Sequence, residues 1–177
     1  MNRNVWVTMS FGSDASWEGN AGYVDDIRSK YEFTNYVPNS TRLRIGDILI
    51  IRDKYNVLGC ATIGDLTTAD GTTSFRRCPA CGTTKFKFRK TKTPPYRCRF
   101  AHEFEKPNSE ITSCTKFSVS YSDSFVPSNK PVAISLLDSI YLDKATQHSI
   151  RPADYEKAMS MAIAINPQTR ELFIDTE

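Results

Sequence analysis

Three cysteines and a histidine stand at spacings that suit a metal ion. Cys78-Pro79-Ala80-Cys81 and Cys98-Arg99-Phe100-Ala101-His102 lie sixteen residues apart, giving the pattern C-x2-C-x16-C-x3-H. A C-x2-C turn lets two thiolates grip one side of a Zn²⁺ ion, and a second pair returning from a hairpin completes the tetrahedron. Gly82 follows Cys81 and can take the positive φ of a tight knuckle. Flanking basic side chains favour the thiolates. The competing reading is a redox C-x-x-C, which usually opens a helix in a βαβ setting. Here Thr83 to Arg89 alternates polar and apolar, as a strand does. With all four positions filled by protein, the predicted zinc is structural, leaving no place for a catalytic water. His102 is the weakest ligand assignment, since cysteine is the commoner partner and Glu103 lies beside it. Cys60 and Cys114 stand alone and read as buried thiols.

The same stretch is strongly cationic. Arg76 to Arg99 holds nine basic residues and no acidic one, so from a net charge of +3 the remainder of the chain carries −6. A dense basic strip in an otherwise acidic domain points to phosphate, and nucleic acid is the partner that presents it in rows. Arg76, Arg77, Lys85, Lys87, Arg89, Lys90 and Lys92 are the candidate phosphate contacts. The plainer alternative is a solubilising surface.

The elements that must position these residues follow from pattern. Asn4 to Met9 alternates around Trp6 and reads as a first strand, with Trp6 in the core. Ile48 to Asp53 reads as a buried strand and Val57 to Ile63 as its hairpin partner, small at Gly59, Cys60 and Ala61, where a barrel would bend. Phe117–Tyr121 and Val132–Leu136 supply later strands. A helix is predicted to open at Ser149 to Pro152 and to pack through Tyr155, Ala158, Met159, Ala162 and Ile163, ending at Asn166-Pro167. The metal module, 76–106, interrupts a domain formed by 1–75 and 107–177. At 177 residues, 40% hydrophobic and 24% charged, the chain can bury its own core. No apolar run is long enough to span a bilayer and Met1-Asn2-Arg3 leads into polar sequence, so a cytoplasmic location without membrane attachment is expected.

Tyr31-x-Phe33-x-x-Tyr36-Val37-Pro38-Asn39, Gly46-Asp47 before Ile48–Asp53, Gly59 to Ile63, and Gln147 to Arg151 together resemble one family. The chain is similar to the EVE-like, PUA-superfamily reader domain at the N-terminus of bacterial HNH-type modification-dependent (type IV) restriction endonucleases, many of which carry an inserted zinc knuckle. The resemblance implies an α+β fold, a small bent β-barrel flanked by helices. It implies double-stranded DNA as partner, with 5-methyl- or 5-hydroxymethylcytosine flipped into an aromatic pocket. An extruded base must regain its lost stacking on rings and hydrogen bonds along its Watson–Crick edge. Trp17, Tyr31, Phe33 and Tyr36 are the candidate walls, Asn39 and Asp53 the polar edge. Phe33 and Tyr36 fit a core equally well, and Asp53 fits a hairpin turn.

An HNH nuclease needs paired histidines, and the chain has only His102 and His148. No catalytic centre is expected in these residues. A nuclease effector, carried on a longer chain or on a separate protein, is the implied partner in phage defence. His148 reads as a helix cap. Two rivals remain: a PUA-like RNA-binding domain, and a nucleotide-processing enzyme using Asp53 with a bound metal.

Overall fold

The computed structural model describes residues 3–10 and 26–174. They fall into two compact units, one of 3–10, 26–69 and 115–174, the other Asp70–Cys114. The second unit thus begins before and ends after the expected 76–106.

The first unit is layered around one strand. β1 (Val5–Met9) pairs in parallel with β3 (Ile48–Arg52), and β4 (Asn56–Thr62) returns antiparallel beside β3. With β10 (Val126–Ala133) and β11 (Ile150–Ala153) they form a five-stranded sheet in the order β10-β4-β3-β1-β11. Ile48-Leu49-Ile50-Ile51 is apolar throughout because both faces of β3 are covered. Ile48 and Ile50 join Val5, Val7, Leu137 and Ala162 in one core cluster. Leu49 and Ile51 join Trp6, Tyr31, Phe33 and Val119 in the other. The first cluster is covered by α1 (Tyr155–Ile165) and the short α2 (Arg170–Phe173). The second lies against β2 (Lys30–Thr34) and the end of β9 (Asn108–Ser120), part of a separate sheet ordered β2-β9-β5, with β5 Asp65–Arg77.

The fold is therefore α+β and mostly sheet, but no closed barrel forms among the described residues: the strands divide into separate sheets. Gly59 is small for a different reason from barrel bending. A Cβ there would lie 2.5 Å from the Val126 carbonyl oxygen and 2.7 Å from the Phe125 ring, so β10 can approach only a glycine. Gly46-Asp47 also does more than turn the chain. Asp47 is buried and its carboxylate accepts from Trp6 Nε1 (2.8 Å), Asn4 N (3.1 Å) and Arg44 N (3.0 Å), tying the start of β1 to the entry of β3.

The predicted helix start is corrected. Ile150–Ala153 is an edge strand antiparallel to β1, where Pro152 is tolerated. The helix begins only after Asp154, whose side chain accepts from Lys157 N at 3.0 Å. Its buried residues are Ala158, Met161, Ala162 and Ile165, and Tyr155 and Met159 pack partly buried against the same core, while Ile163 is half-buried. Likewise β10 stops at Ala133, and Ile134–Ser139 is a 3-10 turn in place of strand. No helix of the described residues is long and apolar enough to cross a membrane.

Candidate metal centre

The four ligand candidates converge in the second unit. One atom each from Cys78, Cys81, Cys98 and His102 lies within 4.8 Å of the others, making a possible metal site. Two turns bring them there. In the first, Gly82 N donates to the Cys78 carbonyl (2.8 Å) and Cys78 N to the Thr83 carbonyl (2.9 Å). In the second, Ala101 N donates to the Cys98 carbonyl and Cys98 N to the His102 carbonyl, both at 3.0 Å. Each turn needs one left-handed residue, Gly82 at φ 70° and Ala101 at φ 68°. The extra residue between Cys98 and His102 accommodates the second of these.

The spacing of the donor atoms fits a tetrahedral ion. Bonds of about 2.3 Å to sulfur and about 2.0–2.1 Å to nitrogen put S···S edges near ~3.8 Å and S···N edges near ~3.5 Å. Cys81 Sγ and Cys98 Sγ are 3.9 Å apart, and His102 Nδ1 lies 3.5 Å from Cys98 Sγ and 3.9 Å from Cys78 Sγ. Burial opposes ionisation of Cys78. The N–H groups of Ala80 and Cys81, with the Cys81 and Cys98 thiols, outweigh it and hold the Cys78 thiol below its ordinary value. At Cys81 the Thr83 N–H favours the thiolate, but burial and the neighbouring sulfurs prevail and push the thiol up. Three thiolates so close repel one another, and a divalent cation between them turns that repulsion into bonds.

Around the site β6 (Phe86–Phe88), β7 (Tyr96–Cys98) and β8 (Glu103–Phe104) form a small antiparallel sheet. The pairings Phe88↔Tyr96, Tyr96↔Phe104 and Phe86↔Cys98 put the rings and a ligand on one face. Tyr96 stacks on Phe104 with centroids 5.7 Å apart, and Phe86 meets both edge-on. The pairings Lys87↔Arg97 and Arg97↔Glu103 put a charged row on the other face. Arg89 bonds Glu103 at 2.7 Å and holds its carboxyl below the usual range. Glu103 is thus neutralised by Arg89, while Lys87 and Arg97 remain exposed.

The seven candidate phosphate contacts divide. Arg76 donates to Tyr96 Oη (2.9 Å), Arg77 is tied to Glu110 and to the Gly82 carbonyl, and Arg89 to Glu103 and the Pro94 carbonyl. These three brace the module. Lys85, Lys87, Lys90 and Lys92 are exposed, as are Arg97 and Arg99, which belong to the basic run but not to the candidate set.

The expected base-binding residues of the first unit are not gathered into a pocket. Tyr31 and Phe33 are corrected to core: they are 3% and 1% exposed, and Phe33 stacks on Phe117. They occupy alternate positions of β2, and so share its buried face. Asp53 is corrected to a turn residue, its carboxylate accepting from Tyr55 N and Asn56 N at 2.7 Å each. Asn39, at φ 68°, donates to the Ile150 carbonyl and accepts from Arg42. Tyr36 is half exposed, and Trp17 lies outside the described residues. An open pocket of roughly 560 Å³ in this unit is lined by Arg3, Trp6, Arg42, Asp154 and Glu156 among others, and contains none of the expected residues. No family model, curated protein or solved structure matches the chain.

Proposed function

We propose that the protein is a nucleic-acid-binding module whose structural zinc, held by Cys78, Cys81, Cys98 and His102, presents a cationic hairpin sheet to the phosphate backbone. The observation that carries this is the two-faced sheet: rings and a metal ligand on one side, Lys87 and Arg97 exposed on the other beside the single carboxylate of Glu103, with Lys85, Lys90 and Lys92 exposed around it. A row of cations fixed by backbone pairing is what a regular array of phosphates rewards. The narrower form of the proposal is a reader of duplex DNA carrying 5-methyl- or 5-hydroxymethylcytosine, targeting a modification-dependent nuclease. That form rests on the family resemblance, and its pocket would depend on Trp17 and not on Tyr31, Phe33 or Asp53.

The test is binding of the zinc-loaded full chain to one duplex sequence in unmodified, methylated and hydroxymethylated forms, and to the matching RNA, across a salt series. Engagement of five cations predicts a log–log slope near ~−4.5, reduced by about 0.9 for each cation removed. Lys87→Glu with Arg97→Glu is expected to abolish binding, as is chelation of the metal. Salt-independent or absent binding to every nucleic acid overturns the proposal. Equal affinity for all three duplexes overturns its modified-base form, and preference for RNA transfers the sheet to an RNA ligand.

A further inference from the structure

The turn that carries Cys98 and His102 is pinned at both ends by ligands and across its base by two backbone hydrogen bonds, and Arg99 N donates to the Lys85 carbonyl at 3.0 Å. Of its three intervening residues, Arg99 and Phe100 form the tip and Ala101 leads back to His102. The Arg99 guanidinium lies 4.6 Å from the centroid of the Phe100 ring, and Phe100 is 56% exposed. The opposite turn carries Pro79 and Ala80 at the equivalent place and no ring. A ring so exposed adds little burial to the fold, whereas Phe86, Tyr96 and Phe104 pack on one another, Tyr96 and Phe104 stacked and Phe86 edge-on to both.

From this we infer that the Arg99–Phe100 tip is a stacking platform for an unpaired nucleobase, a site that rests on the nucleic-acid reading above. Every base has a π-face, and a ring already paired with a guanidinium offers stacking and cation–π attraction together. The tip is held rigidly, so little conformational freedom is lost on binding. Lys85, linked to Arg99 through the backbone, and Arg97 supply positive charge for the flanking phosphates. A base within an intact duplex is already stacked on both sides, so the platform favours single-stranded nucleic acid.

The experiment compares wild type with Phe100→Ala, Phe100→Leu and Phe100→Trp, each zinc-loaded, for binding to labelled oligothymidylate and to a blunt duplex of equal length. Stacking predicts that Phe100→Ala and Phe100→Leu lose roughly 5- to 150-fold on the single strand, with the salt slope and the duplex affinity unchanged. Phe100→Trp keeps the affinity, and its added indole emission falls on binding. Leucine preserves apolar bulk without a π-face, so an unaltered Phe100→Leu overturns the inference, as does an equal loss on single strand and duplex. If Phe100→Ala binds as wild type does while Lys87→Glu with Arg97→Glu does not bind, the platform fails and the nucleic-acid reading stands. If wild type binds neither ligand, both fail.

Discussion

The two knuckles make the same left-handed demand and fill it with different residues, so changing each to the other's residue gives a measurable pair. Gly82 sits at φ 70° with no heavy atom within 4 Å of a built Cβ, so Gly82→Ala costs backbone strain and nothing steric. Ala101 sits at φ 68° and already bears that strain. A left-handed alanine costs about 1–2 kcal/mol. Glycine gives back about 0.5–1 kcal/mol through the extra freedom of its unfolded chain. The difference favours glycine at either position by up to about 1.5 kcal/mol. In a module whose ordering is linked to metal, this appears in metal affinity, where it corresponds to a factor of up to about 12. Competition against a chromogenic chelator should show Gly82→Ala weaker than wild type by that factor and Ala101→Gly tighter by the same factor. The double variant should return close to wild type. Tighter binding by Gly82→Ala, or weaker binding by Ala101→Gly, refutes the assignment of these turns as the frame of the site.

Two further predictions concern the first unit. Asp47→Ala removes the acceptor shared by Trp6 Nε1, Asn4 N and Arg44 N. It should lower stability by about 3 kcal/mol or more, read as a shifted urea midpoint at unchanged slope, with Asp47→Asn losing less. Burial pushes the Cys60 thiol from 9.0 up to about 12. The fold accepts only the neutral thiol and the unfolded chain loses its proton first, so this contribution is complete below pH 9 and is lost as pH rises toward 12. Wild type should then lose about 1.4 kcal/mol more than Cys60→Ala for each pH unit above 9, and native Cys60 should resist alkylation at pH 8. Equal pH dependence of the two proteins refutes the assignment.

The parts of the structure that sequence reveals are those where one interaction dominates. Ile48 to Ile51 reads as a strand because every side chain is apolar, and the metal ligands read from spacing because a tetrahedron fixes it. The long strands β5 and β9 show the reverse. Asp65 to Thr73 contains Asp, Gly and four threonines with no apolar alternation, because that stretch is largely exposed and has no core face to write into the sequence. Phe33 carries the signature of a stacking wall and of a core equally, Tyr31 that of a wall, and only the second sheet, which brings Phe117 and Val119 beside them, places both in the core. Asp53 lies between a strand end and Lys54-Tyr55-Asn56, so a turn that satisfies two backbone N–H groups was the nearer use for its carboxylate. Phe100 escaped the pattern because it lies between two ligands, where an x conveys no information about exposure.

The uneven distribution of buried side chains explains why a metal and a cationic surface occur together. Within 70–114 only Cys78, Cys98, Pro107 and Cys114 are buried, and the rings of the small sheet are half-buried or exposed. Hydrophobic burial alone cannot order so small a hairpin array, and small units of this kind depend on metals or disulfides. A metal that supplies this order releases the surface from packing duty, so nearly every outward position can be charged. The same economy would be impossible in the first unit, where β3 is apolar on both faces and each added cation would have to be removed from water. Chelation should therefore erase the cationic sheet while amide protection in β1, β3 and β4 persists, since their two core clusters contain none of the ligands.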